Sequence, residues 1–233
     1  MNFRIGTPFA MSFAMQRFWV LFCSVIGLSS CFENIEEIRL KADGSGSFTY
    51  ILNFSQSKGE ISTAIKMDSF LGLNLPSIDE MKQKVHVVKQ KLIASKGISN
   101  IALKEDWTNY IIELSGNFTS IQQFNAAAKS ISIAMGANAD KINEGFSYQG
   151  SDSTFIRTIY SVWKPEVAAK LRNIMGQRMD ASSYTLIVRN EKLAKTVTGV
   201  KSKISPSKKA VMVKLNGSDL INHTDYLNIS ILY

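Results

Sequence analysis

The sequence predicts an α+β protein: an antiparallel sheet built from hairpins, with about three helices packed on one face. Two observations carry this reading. Apolar residues alternate at a period of two in short runs separated by turn residues, and between those runs longer stretches repeat apolar residues at spacings of three and four. A third observation sets the N-terminus apart: an uncharged apolar run ends at a cysteine just before the first of these elements.

The first hairpin is the clearest. In Ile38 to Phe54 the apolar residues alternate at Phe48, Tyr50, Leu52 and Phe54, and Ile38 and Leu40 begin the partner strand. Asp43-Gly44 and Gly46 supply the positive-φ positions of a tight turn. A phosphate-binding glycine loop would need a following helix and a lysine, and both are missing.

Ser77 to Ala94 predicts a helix. Ile78, Met81, Val85, Val88 and Leu92 form one apolar stripe. Ser77 and Glu80 make a capping box, and Gly97 lies just past the end. The opposite face carries Lys82, Lys84, Lys89 and Lys91, as a solvated helix face does.

"ISNIALKE" and "NYIIELSGNF" then predict a hairpin turning at Asp106 to Asn109. A second helix follows from about Thr119 to Met135, with Ile121, Phe124, Ala128, Ile131 and Met135 on its stripe. "EGFSYQG" and "STFIRTIYSVW" predict a third hairpin around Gly150 to Asp152, and Pro165 opens a third helix carrying Val167, Leu171, Ile174 and Met175. Hairpin followed by helix is thus a recurring rhythm, starting near Ile38, Ile98 and Phe146. The last quarter is strand-rich, in "SYTLIVR", "AVMVKL" and "YLNISILY", with a short helical turn at Ser218 to Ile221. No Pro/Gly/Ser-rich linker divides residues 38–233, which read as a single domain; a weak boundary falls near Asp180.

The chain has 233 residues, 45% of them hydrophobic and 20% charged, which is ordinary for a folded domain able to bury its own core. Its only two cysteines are Cys23 and Cys31. The body therefore holds no disulfide framework, no thiolate metal site and no thiol nucleophile.

Phe18 to Leu28, "FWVLFCSVIGL", is an uncharged apolar run of 11 residues preceded by Arg17. A membrane-spanning helix needs about 20 apolar residues. Eleven matches the central region of a secretory signal peptide, roughly 7–15 residues. Reading Pro8 to Ser30 as one span would place Gln16 and Arg17 inside it, and a central Arg costs about 3 kcal/mol even on the lenient insertion scale. Residues 1–30 are therefore expected to be a signal peptide. "MQRFWVLFCSVIGLSSC" is complete by itself, so the true start is expected at Met15 or Met11.

"LSSC" (Leu28, Ser29, Ser30, Cys31) resembles the lipobox of bacterial lipoproteins: an aliphatic residue, two small residues and a cysteine. The resemblance implies cleavage between Ser30 and Cys31 and a diacylglycerol on the Cys31 sulfur, with acylation of the new amine. Two or three acyl chains suffice for stable anchoring, at about 0.8 kcal/mol per buried methylene. Residues 31–37 would then be a lipidated tether. "ENIEEIRLKADGSGSFTYILNFS" and the closing strands are similar to uncharacterised envelope lipoproteins of Bacteroidota, and distantly to the family of the mycobacterial M-type lipoprotein, for which lipid or glycolipid binding is proposed. In Bacteroidota, acids soon after the lipidated cysteine resemble a surface-export signal, which Glu33, Glu36 and Glu37 fit. Phe32 is not the Asp that retains enterobacterial lipoproteins in the inner membrane. These resemblances imply an outer-membrane location, on its periplasmic or surface face.

The sequence offers little catalytic chemistry. It has no G-x-S-x-G, H-E-x-x-H or P-loop. His86 and His223 share no partner and read as structural or surface residues rather than a metal pair, and no cofactor or metal is expected. Glu105, Asp106, Glu113, Glu144, Asp152 and Asp225 are candidate carboxylates, but no spacing selects a pair for glycoside hydrolysis. Three functions are therefore in competition: a non-catalytic binding or scaffold domain, a lipid- or glycan-binding carrier or sensor, and a carboxylate-dependent hydrolase.

The net charge is +8, and Glu191 to Lys214 holds seven lysines against one acid. That segment has no arginine and no aromatic residue, which argues against nucleic acid, whose sites mix guanidinium forks and stacking rings with lysine. Lys201, Lys203, Lys208 and Lys209 are candidate contacts to an anionic lipid or polysaccharide; a solvated loop and strand face is the simpler account of them.

Overall fold

A computed structural model describes residues 32–66, 76–134, 145–149, 153–158 and 180–233. Within these the protein is mixed α+β, and two sheets hold all the strands. The sequence-derived helix from Pro165, the turn at Gly150 to Asp152, and Met135 lie outside the described residues.

Strand β1 (Glu33–Leu40) pairs antiparallel with β2 (Gly46–Asn53). The turn between them closes through Lys41 N–H to Ser45 O at 2.8 Å, with Gly44 at φ +84° as the dipeptide Asp43-Gly44 requires. β1 starts five residues before Ile38. Residues 33–37 are therefore part of the sheet rather than a tether, because Asn34 and Glu36 continue the inward period of Ile38 and Leu40. Phe32 is buried too, stacked on Phe54, with its carbonyl accepting from Ser183 N–H.

β3 (Ile98–Asp106) and β4 (Ile111–Phe118) form the second hairpin and extend the sheet beside β2. β7 (Ser183–Asn190) lies parallel to β1, and β10 (Ala210–Asn216) and β9 (Ser202–Ile204) complete the order β3-β4-β2-β1-β7-β10-β9. The β1–β7 pair departs from the expected all-antiparallel sheet. β5 (Phe146–Gln149), β6 (Thr154–Arg157), β11 (Ile229–Leu232) and β8 (Thr196–Thr198) make a separate antiparallel sheet in the order β5-β6-β11-β8. Strands from both sides of Asp180 are hydrogen-bonded within each sheet, so the boundary expected there divides nothing.

Four helices are described. α1 (Lys58–Ile65) is a short helix that periodicity does not announce. α2 (Ile78–Ile93) begins with the expected capping box, Ser77 Oγ accepting from Glu80 N–H and Glu80 accepting from Ser77 N–H. α3 (Ile121–Ala134) buries Ile121, Phe124 and Ala127, and also Asn125 and Ser132, whose polar atoms find carbonyls at Phe146 and Ala128. α4 (Gly217–Asn222) is capped by Asn216 and Asp219.

Phe124 joins the layers. Its ring lies 5.2 Å from Phe48 and Phe118 of the large sheet and 5.7 Å from Phe146 of the small one, and Phe146 continues to Phe155 at 5.8 Å. These rings fill the space where helix and sheets meet, and their offset, tilted packing adds to the area they bury.

Candidate functional site

The lipobox residues Leu28, Ser29, Ser30 and Cys31 lie outside the described residues. The chain they lead into is placed, however: Phe32 is fixed in the core, and β1 begins at the next residue. Chain entry is therefore at the end of the large sheet where Glu33, Asn53, Ser183 and Asn216 meet in register.

At the other end of β1, about 23 Å away by the usual strand rise, lies an open groove of about 850 Å³. Arg39, Lys41, Arg189 and Lys209 bring positive charge to it, against Asp43 and Glu191. Both acids also hold the walls: Asp43 accepts from the N–H and hydroxyl of Ser45, and Glu191 accepts from Ala42 N–H at 3.2 Å. The Ser45 bonds hold the Asp43 carboxyl below its ordinary value. Asn190 is buried in the lining, where its Oδ1 accepts from Lys192 N–H at 2.8 Å and its side chain engages the buried Tyr233 hydroxyl.

The solvent face of the large sheet runs into this groove. Ser99, Asn117, Ser47, Arg39 and Arg189 stand directly opposite one another on five successive strands, β3, β4, β2, β1 and β7. The two arginines are neighbours in the parallel register. Glu37, on the same face of β1, relieves their repulsion: it accepts from Arg189 Nε at 3.1 Å and is in ion-pair contact with Arg39 Nε at 2.5 Å.

The four candidate lysines do not converge. Lys209 lines the groove and Lys208 precedes it in a turn at φ +58°. Lys203 is exposed on β9. Lys201 sits toward the chain-entry end, paired with Asp219 at 2.9 Å.

On the buried face of β1, Glu36 meets Arg157 and Tyr184. Arg157 Nη2 donates to Glu36 Oε2 at 2.8 Å and Nη1 to the Tyr184 hydroxyl at 2.7 Å, while that hydroxyl makes a very short bond to the same carboxylate oxygen. Burial pushes the Tyr184 hydroxyl well above the ordinary tyrosine range, with Arg157 opposing and Glu36 reinforcing. Burial disfavours the Arg157 charge, but Glu36 and the tyrosines hold its pKa above the usual value. Glu36 is thus sealed in the core and is not an accessible export signal; its place in an acidic run hid this role.

The other candidate carboxylates serve local structure. Glu105 accepts from Trp107 Nε1 and meets His86 Nε2 at 3.2 Å; Glu113 pairs with Lys104 at 2.8 Å; Asp106 caps its turn through Asn109, which lowers its pKa. Asp225 starts a short 3-10 turn and His223 stacks on Tyr226 at 4.7 Å. Glu144 and Asp152 lie outside the described residues. Among the described residues no cluster of three ligating side chains could hold a metal ion, and no helix is long and apolar enough to cross a membrane.

No family model and no curated protein matches this sequence. Among solved structures, the NMR structure of the folded domain of LppM from Mycobacterium tuberculosis is a distant structural neighbour, with 15% identity and a TM-score of 0.39 over 86% of this chain and 87% of that one.

Proposed function

We propose that the chain is a lipid-anchored lipoprotein of the cell envelope, acylated on Cys31, whose remaining residues form a non-catalytic binding domain. The observation that carries this reading is "LSSC" closing an 11-residue apolar run behind Arg17. The position of β1 supports it: with Phe32 buried and the sheet beginning at Glu33, an anchor on Cys31 would hold the domain directly at the bilayer. An outer-membrane location belongs to the same proposal. The binding role is supported by the open groove at the far end of β1, whose two acids are both engaged by backbone N–H groups rather than poised as a catalytic pair.

Expression of wild type and Cys31→Ser with and without globomycin, followed by mass spectrometry and membrane fractionation, tests the reading. Wild type should mature to a diacylglycerol-modified chain beginning at Cys31, and globomycin should make the precursor accumulate. Cys31→Ser should stay uncut and unacylated. If neither processing nor acylation depends on Cys31, the anchor reading is wrong.

A further inference from the structure

The groove and the sheet row that feeds it have a more specific chemistry than positive charge alone. Ser99, Asn117, Ser47, Arg39 and Arg189 lie in register across five strands, so their side chains repeat at about 4.8 Å, the ordinary strand spacing. That repeat is close to the rise of one pyranose ring along an extended glycan. The order along the row is hydroxyl, amide, hydroxyl, guanidinium, guanidinium, with Lys209 beyond and Lys41 above. One end thus suits sugar hydroxyls and the other suits acidic substituents.

The arginines are prepared for such a ligand. Each pairs with Glu37 through Nε, which draws both guanidinium groups to one carboxylate and leaves their Nη nitrogens free of that pair. Two parallel N–H donors on a fixed plane match a carboxylate or phosphate bidentately.

An acyl chain is a poor fit. The apolar side chains in the lining are those of Leu40 and Phe118, each only 2% exposed, so neither is open to receive one. The groove also stands at the opposite end of β1 from chain entry. From the in-register row Ser99–Asn117–Ser47–Arg39–Arg189 leading to Lys209, we propose that this face binds an extended acidic polysaccharide, at the end of the domain far from Cys31. This deepens the binding role proposed above and does not depend on acylation.

The test uses the full chain purified from membranes in a neutral detergent, titrated with oligogalacturonates of increasing length, with neutral dextran and with glycerophosphoglycerol, the water-soluble headgroup of phosphatidylglycerol. Affinity for oligogalacturonate should rise with length up to about five sugars, the span of the row, and weaken with salt. Arg189→Gln and Lys209→Glu should each weaken it at least about tenfold, as loss of a charged hydrogen bond does. Lys203→Glu makes the same charge change on β9 and should leave it within about twofold; unchanged circular dichroism and melting temperature would show that the variants fold. Equal losses in Lys203→Glu and Lys209→Glu would overturn the proposal, as would equal binding of dextran, preference for the glycerophosphoglycerol headgroup, or no binding of the oligomers. A chain that binds oligogalacturonate but is not acylated refutes only the anchor; one that is acylated but does not bind refutes only this site.

Discussion

Arg157 on β6 reaches across to Glu36 on β1, with Nη2 2.8 Å from Oε2, and both side chains are nearly sealed from solvent. This contact ties the small sheet to the centre of the large one. A buried charge left without its partner is far costlier than the pair is stabilising. Glu36→Gln or Arg157→Met alone should therefore destabilise the fold by about 3–5 kcal/mol. The double variant Glu36→Gln/Arg157→Met should cost clearly less than the two singles together. Urea denaturation of the four proteins measures this, and additive losses would show that the two charges are not coupled.

The tyrosines around this contact and beneath the groove predict an alkaline limit. Burial raises the pKa of Tyr50, Tyr184 and Tyr233 above the ordinary value of about 10. Groups with a raised folded-state pKa bind their protons more tightly when folded, so their contribution is complete below that ordinary value and is lost as pH rises beyond it. The urea midpoint should hold steady up to about pH 9 and fall above about pH 10. Tyrosinate absorbance should appear together with unfolding, and Tyr184→Phe should flatten part of the slope. Free titration of all the tyrosines in the folded protein would contradict this.

The N-terminus of α2 rests on a reciprocal cap between Ser77 and Glu80. Ser77→Ala should cost about 1 kcal/mol, or roughly 2–4 °C in melting temperature for a protein of this size. Hydrogen bonding to Ser77 lowers the Glu80 pKa, so the carboxylate's share of the cap is present above the ordinary Glu value and is lost as pH falls through the lowered one. The penalty of Ser77→Ala should accordingly shrink in acid. Thermal melts at neutral and acid pH give both readings.

Gly116 sits opposite Phe48 in the β2–β4 register. A Cβ there would press on Ile101 Cδ1 and come within 2.9 Å of the Phe48 ring. Gly116→Ala should cost about 1–3 kcal/mol through overpacking, and adding Ile101→Val should recover part of it. A neutral Gly116→Ala would show that the Phe48 ring can move aside, which its contact with Phe124 argues against.

Local patterns were the readable part of the sequence. The turn at Asp43-Gly44, the Ser77 cap, the stripe of α2 and the strand-rich last quarter each depend on residues a few positions apart, and each stands where expected; on α3 Ile121 and Phe124 are buried as expected, but with Asn125, Ala127 and Ser132 rather than Ala128 and Ile131. What the sequence did not disclose depends on residues far apart. Nothing near β1 announces its parallel pairing with β7, and the three-residue strands β8 and β9 are too short to show a period. Glu36 looks solvated within "ENIEE", and only Arg157 and Tyr184, brought from distant positions, make it a core residue. The polar row is equally hidden, because Ser99, Asn117, Ser47, Arg39 and Arg189 become neighbours only through four strand registers.

The central place of β1 also sets an order of events. Its hairpin with β2 can close as soon as those residues are made, but its other edge must wait for β7, and Glu36 and Tyr184 are 148 positions apart. Until then the hairpin keeps one row of backbone donors and acceptors open, a template for pairing with another chain. Closing that very long loop, rather than winding any helix, therefore carries the larger chain-entropy cost in forming this molecule.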